Sequence, residues 1–147
     1  MIDAFNSPGI WQPFGAFSMG VIAGKGRTVY LKGQVPLDPA GNVVGKGDMP
    51  AQVQQTLANV QAVLKSVGGT MGDVVSLVQH TTDIAGFMQT GDIRKTFFKA
   101  PYPVTTTVEV AGLYHPDIMI EITAVAEIPL KRFKRPGKAK RKGKSRG

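Results

Sequence analysis

The chain has no cysteine. That excludes disulfides, a thiol nucleophile and thiolate metal ligands, and it fits a reducing compartment. Histidine is scarce. His80 and His115 stand alone without H-x-x-H spacing, so they read as structural or surface residues, and no metal site is expected. No apolar run approaches the roughly 18 residues needed to cross a bilayer. The start, MIDAFNSPGIW, carries an early acid where a leader would carry a basic region, so no signal peptide is expected and the default location is cytoplasmic. Acidic residues are missing from Lys131 to Gly147, where ten of the chain's 18 Lys/Arg lie. The other eight face all ten Asp/Glu in residues 1–130, so the formal net charge of +8 belongs to the end of the chain.

What is present divides the 147 residues into one body, residues 1–130, and a polybasic tail, residues 131–147. Ten like charges in the tail, with no apolar stripe, predict a solvated, disordered segment that a cut after Leu130 removes without harm to folding. Its chemistry suits RNA or another polyanion, held by counterion release without sequence readout. In the body, residues 1–14 read as an irregular arm docked by Trp11 and Phe14. Phe17–Ala23 and Thr28–Val35 read as strands of a hairpin around Gly24-Lys25-Gly26-Arg27. The Gly-Lys-Gly steps lack the spacing of a phosphate loop and read as turns. Leu37–Gly47 reads as a loop or short second hairpin.

Pro50–Ser66 is the clearest helix. Val53, Leu57, Val60, Val63 and Leu64 draw one apolar stripe, Asp48 suits the N-cap, and Gly68-Gly69 ends the segment. Gln52, Gln54 and Gln55 are then expected to face water. A strand over Asp73–Thr82 and a second helix from Ile84 or Phe87 to Phe98 follow, with Gly91 inside the helix at a cost of about 1 kcal/mol. Pro103–Pro129 then reads as two strands, Thr105–Leu113 and Ile118–Ile128, joined by a turn at Tyr114-His115-Pro116-Asp117. The order predicts an α+β fold with an antiparallel or mixed sheet and both helices on one face. Val108, Val110, Ile120 and Ile122 are expected on the other face, where association between subunits would cover them.

Glu121 sits inside the last apolar run. A carboxylate there either faces outward on the strand or does chemistry, because a buried one needs compensation.

The segments GAFSMGV, YLKGQVPLDPAG, a helix ending in Phe97-Phe98, and PVTTTVEVAGL followed by IMIEITAVAEI resemble the RidA (YjgF/YER057c/UK114) superfamily. The resemblance runs from about Gly15 to Ile128. It implies a chorismate-mutase-like fold, a homotrimer with clefts between subunits, and, in the deaminase branch, hydrolysis of enamines and imines to ketones and ammonia. No cofactor is implied, and no cofactor fingerprint is present.

The resemblance also assigns residues. The family's water-orienting glutamate matches Glu121, and the cleft glycine matches Gly33. Its polar lining is rewritten. The arginine of the P-A-R-[ST] motif is Thr105, the tyrosine of G-P-Y-S is Phe17, the serine before Gly-Gln is Lys32, and the helix asparagine is Gly91. Thr107, two residues on from Thr105, joins the expected substrate lining. A bidentate arginine grip on a substrate carboxylate is therefore lost. Two readings stay open. One is a divergent imine or enamine hydrolase whose substrate lacks the α-carboxylate or is held by Lys32 or Arg94. The other is a non-catalytic ligand-binding or interaction member that uses the basic tail.

Overall fold

The computed structural model describes residues 2–137; the remainder of the expected polybasic tail lies outside the described residues. The fold grows from one strand, β6 (Ile120–Ile128), whose apolar and polar residues alternate. Ile120, Ile122, Ala124, Ala126 and Ile128 are buried, while Glu121, Thr123, Val125 and Glu127 are half-exposed on the opposite face. Period-2 alternation of this kind fixes register, since a one-residue slip would move the whole apolar set into water.

Beside β6 lie β3 (Arg27–Tyr30) and β4 (Val74–Thr81), both antiparallel to it, and β5 (Val104–Glu109) runs parallel to β4 at the edge. The strand order is β3-β6-β4-β5. A separate two-stranded ribbon pairs β1 (Asp3–Phe5) with β2 (Gly20–Ile22). The long helix α1 (Met49–Lys65) covers the buried face with Val53, Leu57, Val60 and Leu64, all fully buried. Asp48 caps it by accepting from the Ala51 N–H at 3.1 Å, and Gly68, at φ +83°, turns the chain away. The shorter helices α2 (Ile84–Met88) and α3 (Gly91–Phe97) fill the connection from β4 to β5. The α+β fold, with a mixed sheet and its helices against one face, is the expected architecture.

Several local expectations give way to long-range pairing. β5 and β6 do not form a hairpin, because β4 lies between them and pairs with both. β2 does not pair with β3 either: it is held by the N-terminal arm. Gly26 instead brings the chain so close to the backbone of Ile128 that a Cβ there would overlap it, which directs β3 onto β6. Ile120 and Ile122 belong to the core. Val108 does lie on the open face, as expected, and Tyr30, Val78, Val104 and Val125 share it, as the registers require. Trp11 and Phe14 meet Phe17 in tilted and edge-on contacts but stay exposed, so in one protomer they are not docked anchors.

Gln52 is fully buried and does not face water. Its amide donates to the carbonyls of Gly45 (3.1 Å) and Asp117 (2.7 Å) and accepts from the Met119 N–H (2.8 Å), so it ties α1 to two loops. Its burial is offset because both amide protons and the amide oxygen have partners. Val63, by contrast, is exposed at the edge of the helix stripe. The expected second helix breaks at Thr90, and Gly91 opens α3 instead of sitting within a helix.

The docked chain also continues past the expected boundary at Leu130. Arg132 forms a bidentate pair with Asp73, with Nη2 to Oδ1 at 2.6 Å and Nη1 to Oδ2 at 2.9 Å, and Nη1 donates to Gly68 O. The Lys134 N–H donates to Val67 O, and Arg27 lies 4.8 Å from the Phe133 ring centroid. The side chain of Asp73 is 2% exposed. A cut after Leu130 would strand that carboxylate without its cation, so such a cut is not harmless. The apolar and ionic content of residues 132–134 is the reason.

Candidate active site

Glu121 stands on the open face of β6, opposite His80 of β4 in the register. The edge facing it is irregular. Tyr30 pairs with Val125, yet Gln34 bridges Ile122, so four steps along one strand match three along the other. The extra residue makes a bulge at Lys32-Gly33, a device that re-aims side chains at the rim of a sheet. Lys32 Nζ thereby comes to 3.8 Å from Glu121 Oε2. Its ammonium side chain is 83% exposed and the Glu121 side chain 25% exposed. Gly33 passes so close to the Glu121 carboxylate that a Cβ on it would overlap the oxygen and crowd Thr123 Oγ1. A side chain there would push the carboxylate aside, so glycine is what lets Glu121 rest against the strand.

A concavity of about 440 Å³ opens at this rim. Lys32, Gly33, Gln34 and Glu121 supply its polar side, and Val35, Leu37 and Tyr114 its apolar side. The Gln34 amide donates back to Lys32 O at 3.1 Å, which steadies the bulge. A carboxylate beside an open, partly apolar concavity can hold a water molecule and take its proton while the water attacks an electrophilic carbon.

Residues 9–128 match the family model described as Endoribonuclease L-PSP. The chain belongs to this family, the RidA superfamily. A RutC family protein of Pyrococcus horikoshii is 31% identical over 121 residues, covering 82% of this chain and 91% of the relative. A 2-iminobutanoate/2-iminopropanoate deaminase of Dermatophagoides farinae is 35% identical over 102 residues, covering 69% of this chain and 78% of that one. Among solved structures, a Rid family protein of Yersinia pestis superposes with a TM-score of 0.74 at 31% identity, covering 86% of this chain and 98% of its own.

Within one protomer the RidA-type residues fall into two groups. Lys32, Gly33 and Glu121 meet at the rim just described. Thr105 and Thr107 sit on the opposite side of the sheet, in register with Leu77 and Gln79, and Gln79 Nε2 donates to Thr107 Oγ1 at 2.8 Å. Phe17 accompanies this second group, because the Ser18 N–H donates to Pro103 O at 3.0 Å just before β5. Phe17 lines a different concavity, with Asn6, Gln12, Pro101 and Tyr102. Gly91 opens α3 with free space around it. Arg94, one turn on, is largely buried with Nε and Nη2 unpartnered, and burial lowers its pKa from the ordinary value. Neither Gly91, Arg94, Phe17, Thr105 nor Thr107 reaches the Glu121 concavity of its own protomer.

Sequence reasoning missed Val35, Leu37, Tyr114 and Thr123. Thr123 was findable, since it lies two residues from Glu121 and so on the same strand face. The other three reach the rim through loop geometry that leaves no periodic trace. His115 Nδ1 accepts from the Asp117 N–H at 3.0 Å, which holds the turn before β6. Among the described residues no three His, Cys, Asp or Glu gather as metal ligands, and no helix is long and apolar enough to cross a membrane.

Proposed function

We propose that this chain is a divergent imine or enamine hydrolase of the RidA type, with Glu121 as the water-orienting carboxylate. The observation that carries the reading is the bulge at Lys32-Gly33, which holds a glycine backbone against a half-exposed carboxylate at the mouth of a concavity. The relative named a 2-iminobutanoate/2-iminopropanoate deaminase supports the reaction class. In that reaction water adds to the C=N carbon, Glu121 takes the water proton and returns it to nitrogen, and the carbinolamine collapses to a ketone and ammonia. One water is consumed, and no oxidant or cofactor enters.

The assembly completes the site. Homotrimers are typical of the family. In such a trimer the Phe17–Thr105–Thr107 face of one subunit would close the Glu121 rim of the next, which explains why one protomer separates them. The exposed Trp11, Phe14 and Tyr30, and the valines of the open sheet face, are the surfaces such packing would cover. Light scattering at micromolar concentration should give a trimer mass; a monomer mass would remove the closing half of the site. Activity is read as ammonia released from freshly generated imines, with Glu121→Gln as control.

A second reading concerns the tail. Nine of its ten Lys/Arg remain once Arg132 is engaged by Asp73. We infer a cytoplasmic protein whose last residues contact RNA or another polyanion, with retention falling steeply as salt rises.

A further inference from the structure

We propose that Lys32 is the anion grip of this site, and that the cleft it closes takes 2-imino acids with a large apolar side chain. This rests on the hydrolase reading above and names its substrate class. In a 2-imino acid the carboxylate is bonded directly to the imine carbon. A cation that holds that carboxylate must therefore stand beside the group that orients the attacking water. Lys32 meets the condition, with Nζ 3.8 Å from Glu121 Oε2. Arg94 lies outside this concavity in its own protomer, so it is the rival cation only from a neighbouring subunit, and the Arg94→Met arm below separates the two.

The bulge gives Lys32 its position, and its exposure gives it freedom. A pair at 3.8 Å with one partner 83% exposed contributes little to folding, so the ammonium can turn to an incoming anion at small cost. A lysine is a compact point charge and cannot match the two parallel bonds of an arginine fork. Its grip on a carboxylate alone is weak, and the smallest imino acids are poor ligands. The opposite side of the concavity supplies what is missing. Val35, Leu37 and Tyr114 form an apolar wall, and the volume of about 440 Å³ exceeds what a three-carbon imino acid fills. A long aliphatic or aromatic side chain buried on that wall, with its carboxylate on Lys32, places the imine carbon at Glu121.

The test uses full-length protein and the stable 2-oxo acids that correspond to the products, with binding read by calorimetry and turnover read separately as ammonia release. Phenylpyruvate should bind at least about tenfold tighter than pyruvate. Lys32→Met should weaken phenylpyruvate binding by about 10- to 100-fold, the worth of a charge-assisted contact. Lys32→Arg should restore it, and affinity for the uncharged analogue 1-phenyl-2-propanone should be insensitive to either change. Equal affinity for pyruvate and phenylpyruvate, or an unchanged affinity in Lys32→Met, overturns the proposal. So does a loss of binding in Arg94→Met with Lys32→Met unaffected. The two levels separate cleanly. Lys32-dependent binding without any ammonia release would sink the hydrolase reading and keep the grip, whereas turnover that ignores Lys32 would do the reverse.

Discussion

Two carboxylate–cation pairs in this chain have opposite physical character. Asp73 and Arg132 form a bidentate pair at 2.6 and 2.9 Å around a carboxylate side chain that is 2% exposed. Glu121 and Lys32 stand 3.8 Å apart at a wet rim, with a single ammonium on a mobile stem. The dry pair cannot be opened without leaving a buried charge, so it serves structure. The wet pair opens easily, so its carboxylate and its cation are both available to a ligand. Geometry and solvation, more than residue type, decide which of two similar pairs can do chemistry.

The difference can be sharpened by breaking each pair in turn. Glu121→Gln keeps the shape and removes the proposed base, so turnover should fall by about 10²–10⁴-fold with the melting temperature and the mass in solution unchanged. If the variant unfolds and the folded fraction keeps its specific activity, Glu121 is a structural carboxylate and the contrast is lost. Arg132→Met should do the opposite, destabilising the fold by about 1–3 kcal/mol in denaturant titration, since Asp73 is buried but the Arg132 side chain is 36% exposed, while the folded protein stays active. A cut after Leu130 should reproduce that loss, and a cut after Gly137 should change stability by no more than about 0.5 kcal/mol.

The dry pair also has a pH signature. Burial alone would raise the Asp73 pKa, but hydrogen bonds from Arg132 and the Thr70 N–H, with the guanidinium charge, outweigh it and hold the pKa below 3.8. A depressed carboxyl pKa contributes stability that is present above the ordinary value and is lost as pH falls through the folded one. Melting temperature measured from neutral to strongly acidic pH should therefore fall more steeply in wild type than in Asp73→Asn. Identical acid limbs would show that the pair carries no linkage.

A smaller change in activity is expected from the far half of the site. Thr105→Arg restores the family's fork on the surface that the trimer would bring to a neighbouring rim. It should raise kcat/KM for 2-iminopropanoate about tenfold. No change would mean that β5 does not face the Glu121 cleft in the assembly.

Much of this was legible in local pattern. The helix stripe of Val53, Leu57, Val60 and Leu64, with Asp48 and Gly68 at its ends, announces α1 because helix period and caps are written in neighbouring residues. The alternation through β6 places Glu121 opposite Ile120 and Ile122 for the same reason. What the sequence hides is pairing at a distance. The insertion of β4 between β5 and β6 leaves no mark in the Pro103–Pro129 stretch, which still looks like a hairpin. Gln52 looks like a surface glutamine until two loops bring carbonyls to it. Arg132 looks like one more tail charge until Asp73 is seen beneath it. The candidate site was legible only as an expectation at Gly33 and Glu121, through family motifs, while the bulge that aims Lys32 shows only in the mismatch between the Tyr30–Val125 and Gln34–Ile122 pairings.

Ammonia release from 2-imino-3-phenylpropanoate, generated in place and followed beside buffer and Glu121→Gln at equal protein concentration, tests the central claim most directly. Wild type should release ammonia well above the spontaneous rate and the variant should fall to it. Equal rates in wild type, variant and buffer would contradict hydrolysis at this cleft.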